Sequence, residues 1–159
     1  MNLPRVTLWL LAGVVGSVSF WLVQVLTGGP TITGFMGQQI VAVGGYPQGL
    51  STLVGWGVHL GVSLSYAFLF GVLVLPLRSV SFGVVATIAF IIALGLAWGT
   101  TVIAPPAISV TISLLGGQGW PAQLYPLNTQ LGLPFWNHIL FFMLNWAIQA
   151  LGPRLLRRA

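Results

Sequence analysis

Histidine occurs twice in this chain, at matching places. His59 closes the stretch "YPQGLSTLVGWGVH" (46–59) and His138 closes "YPLNTQLGLPFWNH" (125–138), with the same Tyr-Pro start and the same spacing. A neutral imidazole can donate, accept or ligate a metal, so this pair is the first candidate for chemistry. Two such rings on facing helices can serve as axial ligands of one haem b, with Tyr66, Trp56 and Phe135 packed on the macrocycle. One histidine per chlorophyll-type magnesium is a second arrangement. Neither carries a spacing signature, since a Cys-x-x-Cys-His attachment site is absent. The plainer role is a pair of imidazoles hydrogen-bonded to Ser63, Asn137 or a backbone carbonyl.

Other chemistries find fewer residues. His59 and Ser63 stand four apart, as a helical Ser-His dyad would, but there is no Gly-x-Ser-x-Gly elbow and no Asp or Glu to orient the base. No enzymatic function is therefore expected. Coupled transport normally uses intramembrane carboxylates, and the chain has none. With no cysteine, two histidines and three methionines, a zinc or dinuclear centre lacks ligands. "VAVGGYPQG" (41–49) loosely resembles a potassium-channel filter, but Pro47 stands where glycine is required and the matching "AQLYPLN" lacks Val-Gly. A small pore or transporter is a third-ranked reading.

The elements that must hold the histidines follow from composition. Of 159 residues, 57% are hydrophobic and 3% charged, against about 25% charged in a soluble domain. Too little polar surface remains to coat a water-soluble globule, so the solvent for most of the chain is lipid. The net charge of +5 comes from five arginines scattered at segment ends, without the basic face that binds nucleic acid. Four apolar runs, at about 6–26, 51–77, 80–103 and 129–151, reach the roughly 20 residues a crossing requires. The first, introduced by Pro4, is long for a signal core and lacks a small-x-small cleavage site, so it reads as a retained span. Ser51 or Thr52 is the expected cap of the second, Pro105-Pro106 the expected stop of the third, and Gly152-Pro153 the end of the fourth. Pro134 lies near the start of the fourth or kinks it.

Arg5, Arg78, Arg154, Arg157 and Arg158 all fall on one side of such a four-span chain, which places both termini in the cytoplasm, in a bacterial inner membrane. The two loops on the other side (27–50 and 104–128) are uncharged and apolar, suited to lie at the interface or re-enter as short helices. Pairing 1–78 with 79–159 at one offset matches Gly16 with Gly95, Gly37 with Gly116, Gln39 with Gln118, Tyr46-Pro47 with Tyr125-Pro126, His59 with His138 and Leu77-Arg78 with Leu156-Arg157. The expectation is a single all-α transmembrane domain, a four-helix bundle of two parallel helix-loop-helix repeats.

Gly55, His59, Ser63 and Tyr66 share one side of the second span, and His138, Phe142, Asn145 and Gln149 one stripe of the fourth. Such stripes should face protein. Small residues recur at four-residue spacing in Gly13/Ser17, Gly57/Gly61/Ser65, Ser63/Ala67/Gly71 and Ala89/Ala93/Ala97. Six of the seven tryptophans lie near span ends or in the outer loops, while Trp146 is deeper and should meet a helix or a ligand. These features suggest an accessory, scaffolding subunit of a larger respiratory or photosynthetic membrane complex, partnered by lipid and by other subunits or further copies of itself. A bis-histidine haem-binding or chlorophyll-binding electron-transfer subunit is the runner-up.

Overall fold

The computed structural model describes residues 5–152, apart from the side chains of Arg78 and Ser79. Pro4, Pro153, Leu156, Arg154, Arg157 and Arg158, and with them part of the charge pattern and one repeat match, lie outside the described residues. Helices α1 (Arg5–Leu26), α2 (Ile32–Gly44), α3 (Ser51–Val74), α4 (Phe82–Leu115) and α5 (Leu133–Asn145) follow in order, and a π-helical segment, Trp146–Leu151, continues α5. No strand is present among the described residues. Three helical stretches, Arg5–Leu26, Gln48–Leu77 and Phe82–Leu115, are long and apolar enough to cross a membrane, and each buries under a third of its most apolar window inside the molecule. Their outer sides carry exposed Leu22, Leu53, Ile91 and Ile103. Lipid is the medium that such faces suit.

Composition alone makes these segments helical, because a backbone surrounded by lipid must satisfy its own hydrogen bonds. The ends are set by local chemistry. Thr31 caps α2, its hydroxyl accepting from the Gly34 N–H at 3.1 Å. Gly45, at φ 64°, closes α2 in the left-handed conformation, and the Tyr46 N–H returns to the Val41 carbonyl. "VAVGGYPQG" is therefore a helix C-cap followed by a 3-10 turn (Gln48–Leu50), not a filter. That turn runs straight into α3, so Leu50 occupies the cap position with no side-chain hydrogen bond, and neither Ser51 nor Thr52 caps the helix.

Pro105 and Pro106 do not stop the third span. α4 runs through them to Leu115, 34 residues in all, or roughly 50 Å of helix against a hydrocarbon core of roughly 30 Å. Proline at 106 leaves the Val102 carbonyl without its helical donor, and the Asn128 N–H supplies one at 3.1 Å. The loop after α4 thus folds back to repair the break. α5 opens later than expected, at Leu133, with Pro134 in its first turn.

α2 lies across α3 with backbones in contact. A Cβ on Gly37 would collide with the Ser51 carbonyl, and one on Gly55 with the Thr33 carbonyl. Met36 and Ile40 of α2 then bury against Ile112 on the far end of α4. The main core joins Phe20 of α1, Phe70 of α3, Ala89, Ala93 and Ala97 of α4, and Phe141 and Phe142 of α5. The small-residue rows divide accordingly. Gly13, Ser17, Ser63, Ala67, Gly71 and the alanines of α4 are buried, whereas Gly57 and Gly61 meet nothing and Ser65 is exposed.

Candidate functional site: a histidine-lined cavity

His59 and His138 come from α3 and α5 and converge on one ring of α1. Phe20 lies 5.5 Å from the His59 ring and 5.3 Å from the His138 ring, centroid to centroid. His59 is buried and its Nε2–H donates to the Ser17 carbonyl at 3.1 Å. His138 is half-buried and its Nδ1–H donates to the Pro134 carbonyl, one turn back, at 2.7 Å. A carbonyl only accepts, so in the neutral rings each of these nitrogens carries the hydrogen. The lone pairs remain on Nδ1 of His59 and Nε2 of His138. Of the partners expected from sequence, the backbone carbonyl is the one used; Ser63 and Asn137 do not bond either ring.

Both imidazoles line a cavity of about 280 Å³ together with Gln24, Ser63, Tyr66 and Asn128. Its apolar walls include Ile32, Met36, Val58, Ile108 and Phe141. The contributing residues come from the C-terminal parts of α1 and α4, the start of α2, the middle of α3 and the first part of α5. The volume sits just below the roughly 300–1,000 Å³ of ordinary ligand pockets. No cluster of three or more metal-ligating side chains exists among the described residues.

The residues expected around a macrocycle separate in space. Tyr66 lines the cavity and packs on Phe142 at 6.0 Å. Trp56 touches His59 at 6.1 Å and Trp21 at 5.4 Å but is not a lining residue. Phe135 is elsewhere, stacked edge-on against Trp98 at 5.9 Å and Trp136 at 5.2 Å. Spacing does not account for this, since a residue three before His138 falls near the same face of α5; it is the contact with Trp98 of α4 that holds Phe135 outside the cavity lining. Phe20 touches both imidazoles, and the His59 Nε2–H is engaged by the Ser17 carbonyl.

Phe20, Ser17, Gln24 and Asn128 were not visible as site residues in the sequence. A phenylalanine or serine inside an apolar span has no distinguishing signal, and Asn128 is placed by the fold-back onto α4. Gln24 had one, as the single amide in the first span. It now bridges to α2, its Oε1 accepting from the Ile32 N–H at 2.9 Å.

Away from the cavity, Gln149 donates to the Ala67 carbonyl at 3.0 Å and to Asn145 Oδ1 at 2.8 Å. Trp146 meets a helix, as expected of a deep tryptophan, donating from Nε1 to the Ala86 carbonyl at 3.0 Å. Ser17 Oγ, Asn137 Nδ2 and Gln149 Oε1 are buried without a partner among the described residues. In comparisons with known proteins, the chain matches no family model, no curated protein and no solved structure.

Proposed function

We propose that the chain is a non-enzymatic integral membrane protein that holds a small apolar molecule between its spans, as an accessory subunit of a larger respiratory or photosynthetic membrane complex. The observation that carries this reading is the cavity, because α1, α3, α4 and α5 contribute Gln24, His59, Thr101 and His138 to a wall that is mostly apolar. Apolar walls with a few placed polar groups are the ordinary make-up of a small-molecule site. The arrangement suits retention of a ligand better than turnover, since the chain has no Asp, Glu or Cys to work beside the two imidazoles.

In this proposal α1, α3, α4 and α5 with its π-helical continuation are four spans of a bundle. Both termini are cytoplasmic in a bacterial inner membrane, and the cavity opens toward the outer leaflet. The arginine distribution supports that orientation. Descent from two parallel halves rests on the matched Tyr-Pro and histidine positions. The halves differ in one respect: the first has a separate α2, the second an overhang of α4. The open Gly57/Gly61 face of α3 supports a scaffolding role, as small residues let a neighbouring helix approach closely.

The test is mass spectrometry of molecules retained by the protein purified in mild detergent, with Ile108→Trp as a variant that fills the cavity. Wild-type protein should keep a neutral amphiphile near stoichiometry, and Ile108→Trp should lose it. Equal retention by both would refute the binding reading. The visible spectrum of the same sample should lack a b-type reduced-minus-oxidised band. A band abolished in His59→Ala or His138→Ala would put haem binding in its place.

A further inference from the structure

This inference rests on the cavity reading and names the chemistry of what the cavity takes. Two fixed acceptors point to it. The Pro134 carbonyl holds the Nδ1–H of His138 at 2.7 Å, and the Ser17 carbonyl holds the Nε2–H of His59 at 3.1 Å. Each ring therefore presents a lone pair, and neither second nitrogen has a partner among the described residues. Both residues line the same space.

Of the remaining polar groups of the wall, Thr101 and Thr111 give their hydroxyl hydrogens to the Ala97 and Ala107 carbonyls, and the others are adaptable. The hydroxyls of Ser63 and Tyr66 can turn to donate or accept. Gln24 spends its oxygen on the Ile32 N–H and Asn128 spends its own on the Gln130 N–H, so the amide hydrogens of both stay available. No carboxylate exists in the chain to neutralise a cation. A ligand made only of acceptors would leave the imidazoles unmet in an apolar setting, which is the costly way to fill a site. Water would meet the same nitrogens but leave the apolar walls wet, whereas a hydroxyl on an apolar body donates to an imidazole, accepts from a neighbouring hydroxyl or amide, and covers those walls at once. We infer that the cavity binds the hydroxyl end of a neutral apolar molecule, a prenol or a quinol, with its O–H donated to an imidazole nitrogen of His138 or His59. The apolar body lies against Ile32, Met36, Val58 and Ile108.

The experiment is calorimetric titration of the full chain in detergent micelles with four probes in two matched pairs. Farnesol is compared with farnesyl methyl ether, and decylubiquinol with decylubiquinone, because within each pair only the first has an O–H to give. The first member of at least one pair should bind about tenfold tighter than its match, the size of one good hydrogen bond. Which pair shows the preference identifies the body as prenyl chain or quinol ring. The preference should shrink toward unity in one of His138→Phe and His59→Phe, which identifies the accepting ring, and a preference kept in full by both variants overturns the inference. If neither pair shows a preference although probes bind, the hydroxyl inference fails and the cavity reading stands. If none of the four binds, both fail. The matched-pair comparison on the wild-type chain needs no variant to fold.

Discussion

The residues that matter most are polar groups held in an apolar medium, and their hydrogen bonds explain the selection. Gln149 is tied to Ala67 of α3 and to Asn145, joining the last part of the chain to the second half of α3. Removing it in Gln149→Leu breaks both bonds, at a cost of about 1 kcal/mol given measured values for such bonds in membranes. A lower thermal midpoint in detergent would register the loss, whereas an unchanged or raised midpoint would show that its unpartnered Oε1 cancels the gain. The histidines were legible in the sequence because rare residue types at matched spacing stand out against Leu and Val. Their shared contact with Phe20 was not, since nothing distinguishes one phenylalanine from another until helices are placed side by side.

At the scale of elements, the crossing of α2 on α3 is the tightest joint. Gly37→Ala or Gly55→Ala would push each new methyl into a carbonyl of the opposite helix, and overpacking of that kind costs about 1–3 kcal/mol. Gly57→Ala and Gly61→Ala meet open space on the same helix and should leave stability unchanged or raise it by roughly 0.5–1 kcal/mol through helix propensity. Thermal midpoints of the four variants compare the two sets directly. Equal effects in both would mean that α2 does not rest on α3 in this way. The periodic stripe through Gly55, His59 and Ser63 was readable from spacing and is buried. The passage of α4 through Pro105-Pro106 was not, because it depends on the Asn128 N–H reaching Val102 from far along the chain. A proline disturbs a helix through its missing N–H and through ring clash, and a donor from elsewhere relieves the first of these.

For the whole molecule, the orientation is the proposal most open to a direct check. The chain has no cysteine, so single cysteines report their own sides. In intact cells an impermeant maleimide should label Thr27→Cys and Leu127→Cys, and should reach Arg5→Cys only after the membrane is opened. Labelling of Arg5→Cys and Leu127→Cys from the same side would exclude the four-span arrangement. Three of its crossings rest on helices of 22 to 34 residues. The last rests on a 13-residue α-helix prolonged by a six-residue π segment.

Sequence by itself determined the medium and the class of structure. With 3% of residues charged, the chain must be dissolved in lipid, and lipid admits helices because it offers the backbone no hydrogen bonds. Periodicity, a local property, also marked the stripes of α3 and α5, of which Gly55, His59, Ser63, Phe142, Asn145 and Gln149 are buried. Only the tertiary structure decided that His59 and His138 share one cavity, that Phe20 stands against both rings, and that Phe135 packs on Trp98 outside the cavity lining. Those facts depend on the relative rotation of three helices far apart in the chain, and rotation is set by which side chains pack, not by the spacing within any one of them.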